Sequence, residues 1–519
     1  MSAGTPVAGT PQPLLPVNET GNQRTTEAST SPNIIVILTD DLDARSVACL
    51  PNVQTLLAAE GVTFANAFVT TPLCCPSRAS ILRGQYAHSH GVLSNGGDNG
   101  GFPAFYRLGD EESTVATWLQ DAGYRTALVG KYLNRYPKGA PESHVPPGWD
   151  AWTAFASSDE DEGGSNYSGY ALNEDGATVF YGQQPSEYST DVLTARATDF
   201  VARTVASGDP FFLYIAPYAP HGPSTPASRH TEAFADVQAP RIPSFGEADV
   251  DDKPAWVQAL PALNDEQIAL LDDRYRRRLL SLLAVDEMVA SLIETLDAAG
   301  ALENTYIVFT SDNGYHLGEH GLPLGKQSPY DESLRVPLIV RGPGVPPGAV
   351  VDGIALNIDL APTFTELAGA SPADFVDGRS LVPLLDSDPP AEWRHGFLVE
   401  HYDRTLPSDW STPGPITMEE PSEDLDEFEE GDEENGITPI DSPPYLALRT
   451  EQYLYVEYAN GERELYDLHA DPYQLQNLAA TADPALLAEL AANLDHLRVC
   501  AGADCRAAED ALPGVPAAG

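Results

Sequence analysis

The chain has 519 residues, 42% of them apolar, and carries 77 acidic against 28 basic side chains for a formal net charge of -49. That length suits two to three domains, or one large α/β domain with a smaller appendage, and the apolar share excludes wholesale disorder. The acidic excess argues against non-specific nucleic-acid binding, and no run approaches the roughly 18 consecutive apolar residues that cross a bilayer.

Residues 1–31 are rich in Thr, Pro, Gly and Ala. They lack the basic start and apolar stretch of a signal peptide, so they read as a disordered leader or the remnant of a signal sequence. Four short apolar runs follow: Asn33 to Thr39, Thr126 to Val129, Phe211 to Ala216 and Thr305 to Thr310. Each has the length of a buried parallel strand and each runs into a polar turn. Between them, Ser113 to Ala122 stops before Gly123, Thr190 to Val205 is helical in pattern, and Asp265 to Ala299 stops before Gly300. Strands alternating with helices predict an α/β fold, a large mostly parallel sheet sandwiched by helices, over residues 32–370.

From residue 371 the pattern changes. A Pro-rich, strongly acidic stretch over about 403–442 has a like-charge density that resists packing and reads as a surface insertion. Beyond it Tyr445 to Arg449, Tyr453 to Tyr458 and Glu462 to Tyr466 alternate as strands, Asn460-Gly461 marks a hairpin turn, and Pro484 to Leu497 reads as a helix. Residues 371–519 are therefore expected to form a smaller C-terminal antiparallel sheet packed by a helix. Cys500 and Cys505 are spaced to close a small loop, which points to an oxidising compartment, extracellular or periplasmic, with the cytoplasm left open. Two readings of the acidic, Lys-poor surface stay open: tolerance of high salt, where a Debye length of about 3 Å screens self-repulsion, or compositional bias plus one acidic insertion.

The polar residues fall at the strand ends. Asp40-Asp41 follow the first strand, Gly130-Lys131 the second, His221 lies in the turn after the third, and Asp312-Asn313 follow the fourth. Ligands of open α/β sheets bind beyond the carboxyl ends of the strands. Singly, each has an ordinary reading: an acidic pair caps a helix, a Lys is solvated, a His before Gly serves a turn. Together, three carboxylates and an amide oxygen suit calcium or magnesium rather than zinc. With Lys131 and His221 beside it, such an ion would polarise a nucleophile while the cations neutralise the oxygens of an anionic ester.

The candidate nucleophile lies in Cys74-Cys75-Pro76-Ser77-Arg78, followed by Leu82 and Gly84. This block resembles the sulfatase family, whose signature is Cys-x-Pro-Ser-Arg with a Leu and a Gly at fixed distance. The family blocks Pro32 to Asp41, Ala219 to Pro223, Thr310 to Gly314, Leu324 to Lys326 and Arg335 to Leu338 look similar too. The resemblance covers roughly 32–369. It implies that a maturation enzyme converts Cys74 to formylglycine (3-oxoalanine); Cys74, not Cys75, lies in register with Pro76 and Arg78. It also implies metal ligands Asp40, Asp41, Cys74, Asp312 and Asn313, and a sulfate-binding and proton-transfer group of Arg78, Lys131, His221 and Lys326. One hydroxyl of the hydrated aldehyde would attack sulfur, and the second would collapse the resulting sulfoester to expel sulfate.

The sequence departs from the family at Leu133, where the usual His orients the formylglycine hydrate, and this leaves Asn134 as the candidate for that hydrogen bond. The run Gly130 to Asn134 looks like sulfatases acting on N-acetylglucosamine 6-sulfate, which implies a sulfated sugar or aryl sulfate substrate of glycosaminoglycan type. A phosphonate or phosphate monoester hydrolase of the same superfamily is the rival enzyme reading. A non-catalytic, acidic cation-binding protein is the rival from another class.

Overall fold

The computed structural model describes residues 31–156, 166–402 and 442–513. The expected leader apart from Ser31, and the acidic stretch apart from Ser442, lie outside the described residues. The strands in chain order are β1 (Asn33–Thr39), β2 (Val62–Phe64), β3 (Ala67–Phe68), β4 (Arg125–Gly130), β5 (Ala151–Phe155), β6 (Ala171–Glu174), β7 (Ala177–Phe180) and β8 (Phe211–Ala216). They continue with β9 (Thr305–Ser311), β10 (Leu338–Arg341), β11 (Ala349–Val351), β12 (Ala355–Leu356), β13 (Gly396–His401), β14 (Tyr445–Thr450), β15 (Tyr453–Tyr458) and β16 (Arg463–Asp467).

Ten strands form one sheet in the order β11-β2-β10-β9-β1-β8-β4-β5-β6-β7. The central set β9, β1, β8, β4 and β5 is parallel, while β10, β6 and β7 add antiparallel pairings. Successive side chains of a strand point to opposite faces, and β1 shows why its run is continuously apolar. Ile35 and Ile37 enter one core cluster while Ile34, Val36 and Leu38 enter the other. The 34-residue helix Asp265–Ala298 and the helix Ser189–Ser207 cover the first face. Cys74–Arg83 and Leu360–Leu367 lie against the second.

The smaller sheet, β13-β14-β15-β16, is antiparallel and packs with the helices Pro484–Leu497 and Ala503–Asp510 in a third cluster. Gly461, at φ 90°, makes the expected hairpin turn, and Cys500 and Cys505 are disulfide-bonded. This sheet has four strands rather than the three read from sequence. The additional one, β13, precedes the acidic stretch, and its Glu400 N–H donates to the Thr70 carbonyl at 2.8 Å, tying the small sheet to the chain just before Cys74.

Candidate active site

Strand register brings the site together. β1 and β9 pair in parallel up to Thr39 and Ser311, so Asp40-Asp41 and Asp312-Asn313 leave the sheet side by side. The Asp312 N–H then donates to the Thr39 carbonyl at 3.2 Å. β4 ends flush with β8: Gly130 (φ 123°) has no room for a side chain, since a Cβ would lie 2.0 Å from the Ala216 carbonyl oxygen, and the Lys131 N–H bonds that same oxygen at 2.7 Å.

Cys74 opens a ten-residue helix that closes at Gly84 in the left-handed region. Pro76 stands in its first turn, where an amide proton would have no intrahelical partner. Cys74 and Arg78, four residues apart, share a face. Lys326 arrives on the loop after β9, which His316 closes by donating its N–H to the Gly325 carbonyl at 2.7 Å. Gln327 docks this loop on the Pro72 carbonyl at 3.2 Å.

All nine expected site residues are buried within this region, seven of them at 2% exposure or less. Lys326 Nζ lies 3.0 Å from Cys74 Sγ and 2.7 and 2.9 Å from the two Asp41 oxygens. Lys131 Nζ donates to Asp40 Oδ2 at 2.5 Å. Arg78 Nε donates to Asp312 Oδ2 at 2.8 Å, and Arg78 holds the Lys131 carbonyl at 2.9 Å. The Cys74 thiol sits 3.5 Å from Asp40 Oδ1 and 3.8 Å from Asp41 Oδ1. His221 directs Nδ1 at the Gly222 carbonyl at 3.0 Å, so Nδ1 carries the proton and Nε2, 3.8 Å from Asp41 Oδ2, faces the carboxylates.

Burial dominates the electrostatics. It would raise the Asp40 carboxyl, but Lys131 and Arg78 outweigh it and hold the group well below the usual carboxylate range. Burial and the Asp40 charge push Asp312 up to about 6 against the pull of Arg78. Burial raises the Cys74 thiol well above its ordinary value despite Lys131 and Lys326. A sulfur here is a neutral thiol, a poor nucleophile.

Hard cations fit this place by its donor chemistry. Donor atoms of Asp40, Asp41, Cys74 and His221 lie within 4.8 Å of one another. Asn313 Oδ1 is buried and has no hydrogen-bond partner among the described residues, while its Nδ2 donates to Asp41 Oδ1 at 2.6 Å. An amide oxygen left unpaired beside buried carboxylates is what a calcium or magnesium ion would satisfy. Asp312 uses Oδ2 for Arg78 and Oδ1 for the Asp41 N–H at 3.0 Å.

Three other positions, Asn95, Tyr218 and Asn357, were not legible from motifs. Asn95, from the loop Ser94-Asn95-Gly96-Gly97, accepts the Cys75 N–H at 2.9 Å and does the work of a helix cap that Leu73 cannot. Tyr218 sets its ring 4.7 Å from that of His221, tilted by 56°, and lies under Lys131 at 5.1 Å. Asn357 accepts from Thr70 N and donates to Ser77 Oγ at 2.9 Å, bracketing the start of the Cys74 helix. Leu133 is buried in the apolar cluster, and Asn134 Oδ1 is buried without a hydrogen-bond partner among the described residues.

Comparison with known proteins gives the same picture. The chain is 36% identical over 506 residues to the N-acetylglucosamine-6-sulfatase of Homo sapiens, covering 93% of this chain and 86% of that protein. It is 34% identical over 514 residues to an arylsulfatase of Volvox carteri, covering 91% and 75%. Among solved structures, one in complex with its substrate D-glucosamine-2-N,6-O-disulfate matches with a TM-score of 0.71 at 25% identity, covering 93% of this chain and 100% of that one. The sulfatase family model matches residues 32–370, so this chain belongs to the sulfatases and is a sulfuric ester hydrolase.

Proposed function

We propose that the chain removes the sulfate of a sulfated amino sugar of the N-acetylglucosamine 6-sulfate type, using Cys74 after its oxidation to formylglycine. The observation that carries this reading is the placement of Lys326 Nζ 3.0 Å from Cys74 Sγ, among carboxylates that Arg78 and Lys131 also pair. Sγ marks the position that a hydroxyl of the hydrated aldehyde would take. The hydrated side chain supplies two hydroxyls on one carbon, an oxygen nucleophile where the buried thiol would stay protonated. Asp40, Asp41, Asp312, Asn313 and the modified Cys74 would hold one calcium ion, with magnesium as the alternative, which when bound polarises the nucleophile.

The remaining steps belong to side chains of the chain itself. Arg78, Lys131 and Lys326 neutralise the oxygens of the transferring sulfuryl group. As the imidazolium, His221 keeps its Nδ1–H on the Gly222 carbonyl, presents Nε2–H toward the reacting centre and gives that Nε2 proton to the leaving alcohol oxygen as the sulfur–oxygen bond breaks. The sugar assignment rests on the N-acetylglucosamine-6-sulfatase relatives and on the amino-sugar disulfate bound in the structural neighbour. An exported location is supported by the Cys500–Cys505 disulfide, and a maturation enzyme is required by the chemistry of Cys74.

Sulfate release from N-acetylglucosamine 6-sulfate, from an aliphatic sulfate and from matched aryl sulfate and aryl phosphonate esters tests the proposal. The amino-sugar sulfate is expected to be cleaved fastest of the sugar and aliphatic esters, and the aryl sulfate faster than the phosphonate. A preference for phosphonate would replace the proposed function by the phosphorus-ester reading.

A further inference from the structure

The helix Asp265–Ala298 carries the run Arg274-Tyr275-Arg276-Arg277-Arg278. Residues four apart share a helix face, and here Arg274 and Arg278 are buried at 6% and 3% exposure. Arg276 and Arg277 are partly exposed and pair with Asp273 at 3.3 and 2.9 Å. A guanidinium is rarely buried unless most of its donors find acceptors. For Arg278 these acceptors are main-chain oxygens: one branch donates to the Asp41 carbonyl, the other reaches the Pro220 carbonyl at 3.4 Å, and the group lies 3.9 Å from the Tyr315 ring centroid.

These partners come from three strand ends. Asp41 follows β1, Pro220 follows β8, and Tyr315 follows β9. Asp41 adopts φ 67°, the left-handed region that a side chain rarely enters. Its N–H is held by Asp312 Oδ1 at 3.0 Å and its carbonyl by Arg278, so both sides of the residue are fixed. The direction of its carboxylate toward Lys326 is fixed with them. Pro220 immediately precedes His221, and the Tyr167 hydroxyl donates to the His221 carbonyl at 2.7 Å, so the second branch of Arg278 and Tyr167 hold the turn that carries the imidazole from two sides.

We infer that Arg278 is a positioning residue for sulfate-ester hydrolysis: its fork fixes the Asp41 carbonyl and the His221 turn relative to each other. The inference rests on the proposed roles of Asp41 and His221. A Lys at this position keeps the charge but cannot bridge two carbonyls in one plane.

The test uses the full chain and three variants, Arg278→Lys, Arg278→Gln and the outward-facing control Arg277→Gln. It measures kcat and KM on 4-nitrophenyl sulfate and calcium affinity by titration calorimetry. Both Arg278 variants should lower kcat roughly tenfold to hundredfold, as expected for losing a charge-assisted bond, with KM within about threefold. They should also weaken calcium binding about tenfold, while Arg277→Gln stays within about twofold throughout. Wild-type kcat in a folded Arg278→Lys would overturn the inference; if Arg278→Gln does not fold, Arg278→Lys decides alone. Failure of both to fold would make Arg278 a residue of the core and equally overturn it. If the wild type binds no calcium, the metal reading of Asp41 fails while the kcat comparison still decides Arg278.

Discussion

His88 sits where the sulfatase domain meets the small C-terminal sheet, and its environment predicts a stability that depends on pH. Its Nδ1 lies 2.7 Å from Glu400 Oε1 and its Nε2 2.9 Å from the Cys500 carbonyl. Both neighbours are acceptors, so the ring satisfies both only as imidazolium. Burial alone would lower its pKa, but the Glu400 carboxylate more than compensates and raises it from 6.5 to about 9. At 1.36 kcal/mol per pH unit this corresponds to at most about 3 kcal/mol. Because the folded-state value is the higher one, the contribution is fully present below pH 6.5 and is lost as pH rises through about 9. Urea unfolding of wild type and His88→Gln at half-unit steps from pH 6 to 10 should show the wild type ahead by up to about 4 kcal/mol at the acidic end, about 3 of it from the charge. The lead should shrink to the worth of one neutral hydrogen bond, about 1 kcal/mol, at pH 10. A difference that stays flat across the range would refute the reasoning, because it would mean that His88 is held by packing and not by its charge.

Three further outcomes are expected. Cys74→Ala should abolish turnover, whereas Cys75→Ala, which trims a buried thiol whose residue contacts Asn95 through its backbone N–H, should keep most activity and cost roughly 1–2 kcal/mol of stability; equal loss of turnover in both would contradict the assignment. Asp312→Asn removes the nearer of two carboxylates that face a fully buried Arg78, so activity and melting temperature should both fall, by roughly 1.5–3 kcal/mol in stability, and the response of both to added calcium should weaken; an unchanged melting temperature would contradict the pairing. With a formal net charge of -49, an anionic ester is repelled at long range while the cationic site acts at short range, so initial rates at subsaturating substrate should rise as sodium chloride goes from low millimolar to a few hundred millimolar. A monotonic fall from the lowest salt would show that the local cations dominate.

The parallel strands were legible because a strand buried on both faces is written as an unbroken apolar run, as in Ile34 to Leu38. The helices were legible from their stops, Gly123 and Gly300 among them. Short strands such as β2 and β11, three residues each, carry too few side chains to show a period. β13 escaped because its partner β14 begins at Tyr445, on the far side of the acidic stretch, where hairpin logic does not look. The same contrast holds at the site. Asp40, Lys131, His221 and Asp312 announced themselves by following strands. Arg278 and Asn95 did not, because what they bind is main chain: Arg278 lies 237 residues from the carbonyl it holds, and a backbone acceptor leaves no mark in sequence.

The complete burial of Cys74 also sets a deadline. On the proposed conversion to formylglycine, the oxidising enzyme has to reach this side chain while the segment is still open, and the cation beside the sulfur arrives late: Lys326, whose Nζ lies 3.0 Å from Sγ, is 252 residues downstream. At ribosomal rates of about 5–20 residues per second, roughly 13–50 seconds separate the synthesis of the two. For most of that interval, until residues 305–313 are made, β1 lacks its neighbour β9, and the carboxylates of Asp40 and Asp41 lack Asp312 and Asn313. A strand order that places the last catalytic strand beside the first thus gives the nascent chain a period of accessibility whose length is fixed by topology. Shortening it, for example by a circular permutation that delivers β9 before the Cys74 helix, should lower the fraction of molecules that mature while leaving the folded structure unchanged.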